Sequence, residues 1–335
     1  MLSISWSIFP EATAYKAISL LLISMLAGFI GIRFSLDEIL NILAATLGAL
    51  AILSAGLALL LPGWGTMTNP PYGGAWQGLF WHRNYLGTIM SLGMLVFLIR
   101  LLTVQKMIWS YLLNGIFFTL CGALVFLSRS ATGIILGAFL TGTTLIAFAW
   151  IKTHHRLNKK TYFILAGLAA VAVVAILINL NSIFGLLGRN TSLTGRIPLW
   201  DYLLKEYISQ RPLFGYGFGA FWSFEAVRTG VQGIVGWGYP ILIGDNGWID
   251  LLLHIGWIGA IIFTAILVYI GWHSICFAIQ ERTIISFLSI LVLVFALVGN
   301  ISLSLFLELE TFVWVVLICT FFSITRKKQS RSIYN

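Results

Sequence analysis

The chain has 335 residues, of which 59% are hydrophobic and only 9% charged, with a formal net charge of +9 at pH 7. No soluble core hides that much apolar surface, so the solvent is a bilayer and an ordinary water-soluble domain is excluded. Much of the positive charge sits in short loops beside apolar runs, where positive-inside sorting accounts for it and nucleic-acid binding is not needed.

A spanning helix needs roughly 20 apolar residues, and the apolar runs between polar breaks give about nine predicted spans. They cover 17–32, 39–61, 84–101, 109–127, 132–150, 162–181, 248–271, 284–302 and 304–323. The expected fold class is therefore an all-α polytopic integral membrane protein, with residues 1–335 as one membrane domain. Before the first span, Trp6 to Glu11 resembles an external loop. The stretch Lys152 to Lys160 and the tail 324–335, with Arg326, Lys327, Lys328 and Arg331, are both strongly basic. Counting spans puts both on one side, which the charge rule makes cytoplasmic. Nine spans then leave the N-terminus outside with no signal before it, so further helices are expected ahead of this chain.

Two external segments are long. Residues 62–83 form a loop rich in glycine, proline and tryptophan, and 182–247 is the largest non-spanning region. Inside the latter, Pro198 to Gln210 has helical spacing. Leu199, Leu203 and Tyr207 make one stripe, with Trp200, Leu204 and Ile208 beside it and Asp201, Lys205 and Glu206 opposite. Pro198 suits a first turn, and the pattern predicts an amphipathic helix lying on the membrane surface. Cys121, Cys276 and Cys319 all fall in predicted spans without metal-ligand spacing, which makes them packing residues. Trp64, Trp76, Trp81 and Trp237 read first as an interfacial aromatic belt.

This topology leaves Arg83, Arg129, Arg189, Arg196, Arg211 and Arg228 on the external side, against the sorting rule. Guanidinium groups kept there point to an anionic ligand, although single arginines also anchor to lipid headgroups or snorkel at a span mouth. Four external stretches combine charge, glycine and aromatics: Gly78 to Gly87, Ser128 to Gly133, Gly195 to Gly219, and Gly244 to Gly256. Of the histidines, His154, His155 and His273 fall on the cytoplasmic side, which leaves His82 and His254. His254 sits roughly 10 Å into its span at the α-helical rise. It shares a face with Asp250 and Asn246 at four-residue spacing, and Asp250 with His254 reads as a polar pair inside the bundle. Asp245 at the helix mouth is the better-placed base, with Glu225 in the preceding loop next. Asp and Asn are also favoured helix N-caps, so a capping role for Asp245 stands beside the catalytic one. The glycines at 215, 217 and 219 lack the spacing and the strand of a nucleotide-binding turn.

At these stretches the chain resembles the O-antigen ligase and polymerase superfamily, closest to its exopolysaccharide-polymerase branch. The resemblance rests on five segments in order. They are His82 to Gly87, Ser128 to Gly133, Gly195 to Trp200, Pro212 to Gly217, and Asp245 to Ile249 followed by His254-Ile255-Gly256. Two positions depart from the pattern: Asp245 stands where members often have histidine, and His254 where they often have glutamate. The exchange keeps one carboxylate and one imidazole and leans toward a polymerase.

The resemblance implies an inverting, metal-independent transfer of a glycan from an undecaprenyl-diphosphate donor to a sugar hydroxyl, with no cofactor. The setting it implies is the external, periplasmic face of a bacterial inner membrane. The partners it implies are the lipid-linked oligosaccharide, membrane lipid, and a polysaccharide or lipid A–core acceptor. Arg129 and Arg196 would neutralise the leaving diphosphate, with Asp245 as the base. Arg83, His82, Arg211, Glu225, Asn246, Asp250 and His254 would line the substrate site. An O-antigen ligase is the alternative within the superfamily. A flippase of lipid-linked sugars is the alternative of another class, and it predicts ionisable groups spread through the bundle. In this sequence they gather at the external span ends, which favours a one-sided enzyme.

Overall fold

The computed structural model describes residues 1–68, 72–103, 107–153, 196–223, 228–231, 243–306 and 312–334, with side chains as far as 326 in the last segment. The long helices are α1 (Pro10–Arg33), α2 (Leu36–Leu60), α4 (Arg83–Thr103), α5 (Ile108–Leu127), α6 (Ala131–Thr153), α8 (Gly247–Glu281) and α10 (Phe312–Tyr334). Short ones are α3 (Pro62–Gly65), α7 (Arg196–Tyr202) and α9 (Leu288–Gly299). Six of the described helices are long and apolar enough to cross a membrane, and the shorter apolar stretches Ile285–Gly299 and Phe312–Arg326 join them. The chain is an all-α multi-pass membrane protein. The expected span at 162–181 lies outside the described residues.

Local sequence sets the helix starts. Pro10 opens α1 from a first-turn position. Ser35 and Glu38 close a capping box on α2: the Ser35 hydroxyl accepts from the Glu38 amide at 3.3 Å, and the Glu38 carboxylate accepts from the Ser35 amide at 2.8 Å. In the middle of the bundle, α4 packs most extensively on α5 and α6. Glycine permits the closest approach. A Cβ on Gly133 would lie 2.7 Å from the Gly87 backbone, and one on Gly87 would lie 2.7 Å from Ser130 Cβ. α1 runs beside α10, joined where Trp314 donates to Ser24 Oγ at 2.9 Å and Ser323 donates to the Phe34 carbonyl at 2.9 Å. Cys121 and Cys319 are buried as packing residues.

Three local features differ from the expectation. The helix expected at 198–210 forms, with Leu199 and Leu203 fully buried, but from Leu203 to Ile208 it widens into a π turn. The extra residue brings Ile208 into the core and leaves Leu204 44% exposed, which breaks the expected second stripe. The apolar runs 284–302 and 304–323 are not two abutting full-length spans. α9 ends at Gly299, and the Asn300 side chain accepts from the amides of Leu305 and Phe306 at 2.9 and 3.1 Å, holding an irregular turn. The last helix is correspondingly displaced toward the C-terminus, and the basic tail continues it.

The third feature is a break in α8. Gly256 has φ +62° and ψ −171°, so the helix is interrupted there and the carbonyls and amides around it lose their partners. Residues 212–217 replace them. The amides of Tyr216 and Gly217 donate to the carbonyls of Leu253 and His254 at 2.8 and 3.1 Å. The amides of Trp257 and Ile258 donate to the carbonyls of Pro212 and Leu213 at 2.8 and 3.2 Å. Irregular backbone within a membrane protein persists where protein re-satisfies it in this way. The approach demands glycine: a Cβ at Gly256 would lie 2.4 Å from the Leu213 backbone.

Candidate active site at one end of the bundle

The mouths of α4, α6 and α8 meet at one end. Asn246 caps α8, its side-chain oxygen accepting from the amides of Trp248 and Ile249 at 3.0 and 3.3 Å. That relieves Asp245 of the capping role. Asp245 instead adopts φ +51°, and its carboxylate meets Arg196 at the start of α7. Arg196 Nε and Nη2 both donate to Asp245 Oδ2, at 3.1 and 3.0 Å. Oδ1 of Asp245 and Nη1 of Arg196 have no partner among the described residues. Trp200 Nε1 donates to the Gly244 carbonyl at 2.8 Å, fixing α7 against the turn that carries Asp245.

From the α4 side come His82 and Arg83. Arg83 is buried, stacks at 4.0 Å over the Tyr72 ring and donates through Nη1 to the Arg129 carbonyl. The Ser128–Gly133 turn is tied to α4 because Ser130 Oγ donates to Asn84 Oδ1 at 3.1 Å and accepts from the Gly133 amide at 3.2 Å. Arg129 itself has φ +51° and is exposed, with Nη1 reaching the Gly73 carbonyl at 3.5 Å. Burial pushes the His82 imidazole down to about 4; Asp245 opposes the shift, and Arg83 and Arg196 add to it. His82 is therefore neutral at pH 7 and lies within electrostatic reach of both ends of the ion pair.

The structure thus gathers His82, Arg83, Arg129, Arg196, Asp245 and Asn246 around one mouth. The other expected residues stand apart. Asp250 is buried below Asp245, but it does not pair with His254. Its carboxylate accepts from Trp222 Nε1 at 2.8 Å, from the Gly244 amide at 3.0 and 3.1 Å, and from Ser304 Oγ. Helical spacing suggested the His254 pair, but the nearby Gly244 amide and two residues remote in sequence, Trp222 and Ser304, claim the carboxylate first. Asp250 thereby holds the Gly244–Asp245 turn. His254 is buried edge-on to Phe218, with ring centroids 5.6 Å apart, and its Nε2 has no hydrogen-bond partner among the described residues. Arg211 lies 5.1 Å over the Tyr216 ring beside the α8 break and, among the described residues, shares no partner with the mouth group. Glu225, Arg189 and Trp237 lie outside the described residues.

Residues that sequence reasoning did not single out complete the frame: Tyr72, Trp222, Asn300 and Ser304. Asn300 and Ser304 are polar positions inside an apolar stretch, and that was the available signal. Among the described residues no group of three metal-ligating side chains assembles.

Residues 116–264 match the family model described as O-antigen ligase. The match supports the O-antigen ligase/polymerase superfamily. It runs from the middle of α5 to a point beyond the break in α8 and includes Arg129, Arg196 and Asp245, whereas His82 and Arg83 lie before it. No curated protein matches the chain. The superfamily indicates a membrane glycosyltransferase-like role in O-antigen or polysaccharide assembly, with lipid-linked oligosaccharides and polysaccharides as the general class of substrate.

Proposed function

We propose that the chain polymerises lipid-linked repeat units, transferring a glycan from an undecaprenyl-diphosphate donor to a sugar hydroxyl at the external membrane face. The observation that carries this reading is the Arg196–Asp245 pair, in which one guanidinium nitrogen and one carboxylate oxygen have no partner among the described residues. Arg196, with Arg83 and Arg129 beside it, receives the diphosphate. Among the described residues Asp245 is the only carboxylate at the mouth that is not already enclosed by hydrogen-bond donors. Planar, permanently charged groups suit the oxygens of a diphosphate, and partial burial strengthens them.

The acceptor hydroxyl oxygen attacks the anomeric carbon as the bond from that carbon to the diphosphate oxygen breaks. The bonding pair leaves with the lipid diphosphate, and the hydroxyl proton passes to Asp245 Oδ1. Neutral His82 adds a hydrogen bond to the sugar without adding charge. The leaving group is already good, so the protein acts mainly by placing positive charge where negative charge develops.

The test is incubation of the purified chain with a diphosphate-linked repeat unit, scored for chain growth and for released lipid diphosphate. Growth of the polymer with equivalent release supports the reading. Transfer only when lipid A–core is supplied would make the protein a ligase, and neither product would remove the enzymatic reading. Cysteine labelling of residues 196–223 from each side of the membrane tests the orientation.

A further inference from the structure

We propose that a cavity at the opposite end of the bundle binds the phosphate headgroup of an anionic phospholipid. The cavity has a volume of 530 Å³ and lies between the ends of α2, α4 and α6 and the turn from α8 to α9. Arg100, in the last turn of α4, lines it. Its Nε donates to Asn114 Oδ1 at 2.8 Å and its Nη1 to Asn41 Oδ1. Both acceptors are neutral amides. They fix the guanidinium plane while leaving its charge uncompensated, and Nη2 has no partner among the described residues.

A second cation, Lys152, ends α6 and lies 5.5 Å over the Phe148 ring. Its position in the last turn adds the negative end of a helix dipole, which keeps the ammonium at the cavity rim. The described lining contains one carboxylate, Asp37, against these two cations. The balance favours an anion. Apolar side chains including Leu102 and Phe148 form the remaining wall. A phosphate beside an apolar wall at the helix ends matches an amphiphile at the bilayer interface better than a free ion. Basic pockets between spanning helices take lipid headgroups for this reason.

The test measures lipid retention by native mass spectrometry on the full chain in detergent, titrated with short-chain phosphatidylglycerol or phosphatidylcholine. Inorganic phosphate serves as the competing arm. The expected result is preferential retention of phosphatidylglycerol, with affinity lowered about fivefold by Lys152→Gln and by at least as much by Arg100→Gln. The Lys152 side chain is exposed and makes no hydrogen bond among the described residues, so its variant reports on binding even if Arg100→Gln loosens the bundle. Lys205→Gln, at the other end of the molecule, is expected to leave retention unchanged. Equal retention of the two lipids would overturn the proposal, as would displacement by phosphate with no dependence on the lipid, or indifference to Lys152→Gln.

Discussion

Two pairs of glycine-bearing segments, one at the candidate site and one deeper in α8, are built in opposite ways. At the α4–α6 crossing, Gly87 and Gly133 let two intact helices touch, and among the described residues no backbone–backbone hydrogen bond runs between them. At the α8 break, Gly256 gives up helical bonds and residues 212–217 remake them from outside. The first device fixes Arg83 and His82 at a rigid mouth. The second interrupts α8 only a few turns after its start at Gly247, so that the short segment carrying Asp245, Asn246 and Asp250 is held by hydrogen bonds from Trp222 and Ser304, which are remote in sequence. Arg83 sits on the crossing, whereas Arg196 and the proposed base sit on segments that polar contacts hold in place.

The largest effect expected from this contrast is chemical. Asp245→Asn keeps an acceptor for Arg196, so the fold should persist while turnover falls roughly 10²–10⁴-fold for loss of a general base. Chain growth measured beside thermal unfolding separates the two. Next is Gly256→Ala, which combines a positive φ with overlap on the Leu213 backbone. A loss of about 2–5 kcal/mol in stability is expected, seen as a lowered midpoint in detergent. Gly133→Ala should cost less, about 1–3 kcal/mol, because two helices can part slightly where a threaded loop cannot.

A further effect concerns pH. His82 titrates at about 4 in the folded chain and near its ordinary value of 6.5 when unfolded. The unfolded state therefore binds more protons between those values, and this part of the stability is full above about 6.5 and lost as pH falls toward 4. His82→Gln should flatten that portion of the stability profile, and an unchanged slope would show that His82 is not held neutral by the fold.

Much of this architecture was legible from apolarity alone. The runs 84–101, 109–127 and 132–150 become helices whose ends differ from the expectation by only a few residues, because a bilayer leaves long apolar segments little choice but helix. Hydropathy says nothing about interruption, however. Gly256 lies well inside an expected span, and only the partner loop 212–217, distant in sequence, explains why it breaks the helix. The same limit hid the turn after Gly299, which depends on the Asn300 side chain.

Within the site, residue types were legible and their pairings were not. Asp245 and Arg196 stood out as external charges, but nothing local links residues 49 apart. Asp250 illustrates the opposite error, since spacing along one helix suggested His254 while Trp222 and Ser304 arrive from elsewhere.

The most direct measurement is donor turnover by Arg196→Ala and Arg196→Lys, each at saturating diphosphate-linked repeat unit. Loss of one donor to developing charge predicts a fall of roughly 10²–10³-fold for Arg196→Ala, with partial recovery in the lysine variant, which keeps the charge but not the fork. Turnover by a folded Arg196→Ala protein equal to that of the unaltered chain would contradict the account.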